Sequence, residues 1–231
     1  MTGVQTCALP ISVKSPSIRG WRAAWTPDLD GLIPVDAEVA RVAEGAMRVF
    51  RSLGVKVESA CCDFSEVNDI VLGTRGVAMV ANHADKLPRW KDQMQKGLVW
   101  NIEQGLTLSP EEIGRAEVLR STLWQRVRAF METRELLLLP TVAVPPFPVE
   151  QPYPTHINGK PLDNYTQWFF LTYGITLTGL PVISVPCGFT KSGLPVGLQI
   201  VGRRRQEAMV LRAAAAFEAA TPWADKIPPV V

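Results

Sequence analysis

The side chains of this 231-residue chain that could carry nucleophilic chemistry are few: Ser184 in Val182-Ile-Ser-Val-Pro186, Cys187 just after it, and two histidines, His83 and His156. Covalent catalysis needs a nucleophile and a base that can take its proton, both held in place. Ser184 lacks the G-x-S-x-G elbow that exposes a hydrolase serine, and it stands inside an apolar strand-like run, so its expected role is structural. Cys187 falls at the end of that run, where α/β folds collect functional groups. No basic residue or histidine adjoins it to form a thiolate. A Ser-His-Asp arrangement would have to draw on two histidines that have no recognisable context. The four cysteines (Cys7, Cys61, Cys62, Cys187) show no metal spacing, and adjacent Cys61 and Cys62 are poorly placed to bridge each other. There is no phosphate loop and no G-x-G-x-x-G. The residues therefore imply neither metal nor cofactor.

The elements that must position such residues are legible from patterning. Around Ser184 and Cys187, two apolar runs, Val182 to Pro186 and Pro195 to Val201, flank a turn of Gly188, Thr190, Lys191, Ser192 and Gly193. Apolar on nearly every position, both suit strands buried on two faces. Residues 20 to 60 read as a β-α-β unit: a strand at Arg22 to Trp25, a turn through Gly31, a helix capped by Asp36, a stop at Gly54 and a strand at Val55 to Ser59. The helix should bury Val35, Val39, Val42, Ala46, Val49, Phe50 and Leu53. Residues 64 to 133 read as mainly helical, with a capping box at Ser109-Pro-Glu-Glu112 and an apolar face of Ile113, Ala116, Leu119, Leu123, Val127 and Phe130. The run Glu135-Leu-Leu-Leu-Leu-Pro-Thr141, apolar up to Pro140, is expected to be a central parallel strand. A proline-rich surface loop, a type I′ hairpin at Asn158-Gly159, an aromatic helix over 164–177 and an alanine-rich helix over 206–220 complete the chain. The fold class is α/β, with a mixed, mostly buried sheet sandwiched by helices.

Composition bounds the function. Hydrophobic residues are 47%, charged residues 20% and the net charge is +2. No strong field draws in nucleic acid or an anionic membrane, and Arg203-Arg204-Arg205 reads as a solvated helix start. No apolar run approaches the roughly 18 to 20 residues that cross a bilayer. A soluble protein with reduced cysteines is expected, placed in the cytoplasm. The opening MTGVQTCALPIS lacks the layout of a signal peptide, and Val4 to Ile11 looks like a translated sequencing-library adapter. Residues 1–16 are expected to be an artefactual or disordered leader, and 17–231 the structural portion.

Three longer stretches are more specific: "Leu177-Thr-Gly-Leu-Pro-Val-Ile-Ser-Val-Pro-Cys-Gly-Phe189", "Gly193-Leu-Pro-Val-Gly-Leu-Gln-Ile-Val-Gly-Arg203" and "Leu136-Leu-Leu-Leu-Pro-Thr-Val-Ala-Val-Pro-Pro-Phe-Pro-Val149". These resemble the carboxy-terminal core of the amidase signature hydrolases. The resemblance covers about residues 17 to 223 and implies hydrolysis of a carboxylic amide through a seryl acyl-enzyme. In that family two serines and a lysine do the chemistry, within a glycine- and serine-rich run upstream of this region. No Gly-Gly or Ser-Ser dipeptide occurs in residues 1–231. The chain is thus expected to be the carboxy-terminal half of an amidase, without catalytic residues and inactive alone.

The resemblance also implies that the helix before "Gly-Leu-Pro" lines the acyl pocket, which makes Trp168, Phe169 and Thr172 candidate substrate-binding residues. Where the A subunit of a transfer-RNA-dependent glutamine amidotransferase carries an aspartate for the ammonium end of glutamine, this chain has Phe169. An apolar ring cannot replace that carboxylate, so an aryl or alkyl amide is expected instead. The aromatic stripe has a second reading as plain core. A non-catalytic binding or structural module and the amidotransferase subunit remain the alternatives. The expected partner is a small-molecule amide in the full-length parent, with no nucleic acid and no membrane. A truncated sheet would also leave an edge open to self-association.

Overall fold

The structure is a computed structural model that describes residues 17–223; the leader and adapter expectations at the amino terminus lie outside the described residues. A five-stranded sheet carries the fold. Its strands are β1 (Arg22–Trp25), β2 (Lys56–Ser59), β3 (Leu136–Pro140), β6 (Val182–Phe189) and β7 (Pro195–Gly202), in the order β2-β1-β3-β7-β6. β1 runs parallel to β2 and β3, whereas β7 is antiparallel to both β3 and β6. The sheet is therefore mixed. β3 is central as expected but parallel on one side only, since parallel pairing gives way to antiparallel there. A separate hairpin, β4 (His156–Ile157) with β5 (Lys160–Pro161), turns at Asn158 and Gly159, both at positive φ as a type I′ turn demands.

Helices cover both faces. They are α1 (Ala37–Ser52), α2 (Val67–His83), α3 (Leu87–Trp90), α4 (Lys96–Thr107), α5 (Pro110–Met131), α6 (Phe170–Thr178) and α7 (Glu207–Ala220). Among the described residues, no helix is long and apolar enough to cross a membrane. Caps set several ends. Asp36 accepts from the N–H groups of Glu38 and Val39 at the start of α1, and Ser109 with Glu112 closes a capping box at α5. After Leu53, Gly54 takes φ +84°, the left-handed conformation that ends α1. The apolar faces are turned slightly from those expected. α1 buries Val39, Ala43, Ala46, Met47 and Phe50, leaving Val42, Val49 and Leu53 only partly covered. α5 buries Ala116, Leu123, Val127 and Met131, with Ile113, Leu119 and Phe130 partly covered.

Strand alternation divides the core in two. Leu136 and Leu138 face one cluster with Met47, Phe50 and Phe217 from α1 and α7; Leu137 and Leu139 face another with Leu123, Phe170 and Ile175 from α5 and α6. All four leucines are 0% exposed, which is why this strand tolerates no polar position. β7 is buried almost throughout. β6 departs from the expectation of burial on both faces: Val182, Ser184 and Phe189 are exposed, and the rest of the strand is only partly covered. The reason is topological. β6 is an edge strand, and among the described residues no other strand pairs along its outer side. Ser184 thus lies on an edge rather than in a buried strand.

Candidate functional site

The candidate site lies where β3 ends. Open α/β sheets place ligands outside the carboxyl ends of their strands, and here the chain leaves Pro140 into a loop that carries Thr141, Val142 and the prolines. A cleft of about 350 Å³ opens there, lined by Val39 of α1, Val142, Val144, Phe147, Trp168 and, from β7, Gly197. Its walls are largely apolar. Phe147 and Trp168 meet edge to face with ring centroids 5.4 Å apart, so the loop and the turn before α6 close one side together.

Hydrogen bonds fix that side to the sheet. The Ala143 N–H donates to the carbonyl of Trp168 at 3.0 Å, and the Thr141 N–H donates to the carbonyl of Gly197 at 2.9 Å. Thr172 Oγ1 donates to the Thr141 carbonyl at 2.7 Å. Gln199, 3% exposed on β7, donates from Nε2 to the carbonyls of Pro140 at 3.1 Å and Leu171 at 3.2 Å. One buried amide thereby ties the end of β3 to the start of α6, satisfying carbonyls that would be costly to leave bare.

Of the three residues singled out from sequence, Trp168 lines the cleft. Phe169 packs its ring edge-on against Trp168, centroids 5.1 Å apart, and against Tyr173 at 5.6 Å. Thr172 reaches the site through its bond to Thr141. The structure thus joins all three into one assembly, with Trp168 as the member that lines the space. Thr141 and Gln199 are not among the residues singled out from the sequence. The signal for Gln199 is its place as the one polar residue in an otherwise apolar strand, and for Thr141 its place just past the end of a buried strand.

The remaining nucleophile candidates are not activated. Burial pushes the Cys187 thiol up to about 12, and Cys187 is the extra residue of a β-bulge, its Sγ directed at the carbonyl of Val196 at 3.3 Å. Burial, and then the neighbouring Cys62, raise Cys61 to about 12; burial raises Cys62 to about 11. None of the three is a thiolate at neutral pH. Ser184 Oγ pairs with Thr141 Oγ1 at 2.6 Å, a hydroxyl and not a base. His83 ends α2 and His156 lies in β4, each bonded locally to Lys86 and Thr155.

The chain as a whole is similar to known proteins. Residues 17–211 match the family model described as Amidase. An acylamidase of Rhodococcus erythropolis is 35% identical over 222 residues, covering 94% of this chain and 46% of that protein. The Glutamyl-tRNA(Gln) amidotransferase A subunit of Thermosynechococcus vestitus is 34% identical over 238 residues, covering 92% of this chain and 48% of that protein. A solved bacterial aryl acylamidase of the amidase signature enzymes superposes with a TM-score of 0.80 at 28% identity, over 92% of this chain and 46% of that one. The chain spans about half the length of the relatives it matches.

Proposed function

This chain belongs to the amidase family, and we propose that it supplies the acyl-side wall and supporting scaffold of an amide hydrolase whose nucleophile lies outside residues 1–231. The parent reaction is hydrolysis of a carboxylic amide. A serine oxygen attacks the carbonyl carbon, the C–N bond breaks as the amine leaves with a proton, and water releases the carboxylate from the acyl-enzyme. In that scheme the cleft bounded by Trp168, Phe147 and Val39 receives the apolar group of the substrate, in keeping with the mainly apolar lining of small-molecule sites. The observation that carries the reading is the position of this cleft at the end of β3, with Trp168 on its wall.

The amidotransferase A subunit is the second reading, favoured by the 34% match over most of the chain. Phe169 argues against it, since a phenyl ring packed between Trp168 and Tyr173 offers no carboxylate for a glutamine ammonium group. On the amidase reading the outer edge of β6 belongs against the rest of the enzyme, so the 231-residue chain by itself should self-associate through that edge. Neither nucleic acid nor membrane enters the proposed function.

A chimera tests it. Residues 17–223 fused after the amino-terminal half of the Rhodococcus erythropolis acylamidase should hydrolyse simple anilides, and Trp168→Ala should raise KM about tenfold by loss of apolar contact. A folded chimera that hydrolyses glutamine but no anilide would reverse the choice between the two readings.

A further inference from the structure

The basic run after β7 does not act as one unit. Arg203 bonds the carbonyls of Met131 and Arg134 and the carboxylate of Glu135. Arg204 instead sets its guanidinium over the part-buried indole of Trp124, 5.5 Å from the ring centroid. Arg128, one turn further along α5, approaches the same ring at 5.9 Å. Two clefts meet at this indole, at the end of the sheet away from Trp168, where β7 finishes and β6 begins. One, of about 430 Å³, is lined by Arg120, Trp124 and Arg204, with Glu117, Ser121 and Gln125 beside them. The other, of about 260 Å³, has Trp124, Val127, Met131 and Leu180 as its apolar lining. Trp124, Thr178 and Arg204 belong to both.

The charges at this place do not cancel. Of the four guanidiniums that line the two clefts, Arg128 is paired with Glu132 and Arg203 with Glu135. Among the described residues, neither Arg120 nor Arg204 has a carboxylate within ion-pair distance, Glu117 included. The larger cleft therefore presents two uncommitted cations against one carboxylate. A guanidinium resting on an aromatic ring keeps N–H donors in the fork geometry that matches a carboxylate.

We propose that Arg120, Arg204 and Trp124 form a binding site for an organic carboxylate with an apolar body. The carboxylate lies between the two guanidiniums in the larger cleft, and the body lies in the smaller one against Trp124 and Leu180. A bare inorganic anion would leave that apolar lining unused, and a neutral apolar molecule would leave both cations unanswered. The site does not draw on the amidase reading, which concerns the other end of the sheet.

Binding of phenylacetate, of phenethyl alcohol, which keeps the ring without the charge, and of acetate, which keeps the charge without the ring, is measured on the 231-residue chain by ligand-observed NMR titration. Phenylacetate should bind about tenfold more tightly than either of the others, roughly 1.4 kcal/mol. The double variant Arg120→Gln, Arg204→Gln should weaken phenylacetate about tenfold and leave phenethyl alcohol unchanged; both side chains are exposed, so the fold should tolerate the change. Trp124→Ala should also weaken phenylacetate, whereas Trp168→Ala should not. The assignment would be overturned by no saturable phenylacetate signal, by acetate binding as tightly as phenylacetate, by unchanged phenylacetate affinity in the double variant, by an equal loss for phenethyl alcohol there, or by a loss of phenylacetate in Trp168→Ala that Trp124→Ala does not show.

Discussion

The two edges of the sheet are made of opposite chemistry. β2 reads Lys56-Val-Glu-Ser59, with charged side chains on exposed positions and Glu58 paired to Arg134 at 2.7 Å. β6 reads Val182-Ile-Ser-Val-Pro-Cys-Gly-Phe189 and carries no charge at all, although Val182 is 41% exposed. Charges at an edge deter other strands from pairing there. The β2 edge is thus charged and exposed, whereas the β6 edge is uncharged and only partly covered. Between them lies β3, uncharged like β6 but covered on both faces. Neither strand carries a charge, so charge does not set β3 and β6 apart. The difference comes from what flanks them, and for β6 the described residues supply a neighbour on one side only.

Substitutions put that contrast to the test. Leu138→Ala in β3 should cost about 3 kcal/mol in denaturant unfolding, since close-packed neighbours on a central strand leave little room for collapse. Val185→Ala in β6, partly covered, should cost under about 1 kcal/mol; equal losses would erase the distinction between centre and edge. Gln199→Leu, one strand in from the edge, should cost about 2 kcal/mol by leaving the Pro140 and Leu171 carbonyls without their donor. A charge placed on the apolar edge, Val182→Lys, should weaken self-association about tenfold in sedimentation velocity, roughly 1.4 kcal/mol, while Lys56→Val on the β2 edge should strengthen it. A strictly monomeric unaltered chain would remove the β6 edge as an interface.

The smallest effect concerns pH. Arg126 bonds both oxygens of Glu66 at 2.9 Å, holding that carboxyl at about 2 instead of the usual 4.5. A depressed carboxyl stabilises the folded state above its unfolded value, so this contribution is present above pH 4.5 and is lost as pH falls towards 2. The pair is part-exposed and screened, so its share is below about 1 kcal/mol. Glu66→Gln should flatten the acid limb of stability by that amount, which thermal unfolding across pH 2 to 4.5 would read.

Much of this is visible in the amino acids. The Asp36 cap, the Ser109 box, the glycine stop at Gly54 and the Asn158-Gly159 turn are local devices, set by neighbours in sequence, and each appears where its residues predict. The four leucines of β3 announce a strand buried on both faces. What cannot be read depends on distant partners. The same apolar signal in β6 gives no sign that the strand lies at an edge, because that depends on which strand comes next in space. Arg203, expected in a solvated cluster, reaches instead to the carbonyls of Met131 and Arg134 and to Glu135. In the site, Trp168 is legible because the family resemblance implies that the helix before Gly-Leu-Pro lines the acyl pocket. Thr141 and Gln199 are not, since their roles arise from a carbonyl and a hydroxyl brought across from other elements.

That these residues form a wall and a support, and not the chemical centre, is put at risk by one assay: hydrolysis of aryl and aliphatic amides by the purified 231-residue chain, beside its Ser184→Ala, Cys187→Ala double variant. Neither should turn over substrate above the uncatalysed rate. Turnover by the chain that the double variant lacks would contradict the assignment, by showing that a nucleophile lies within these residues after all.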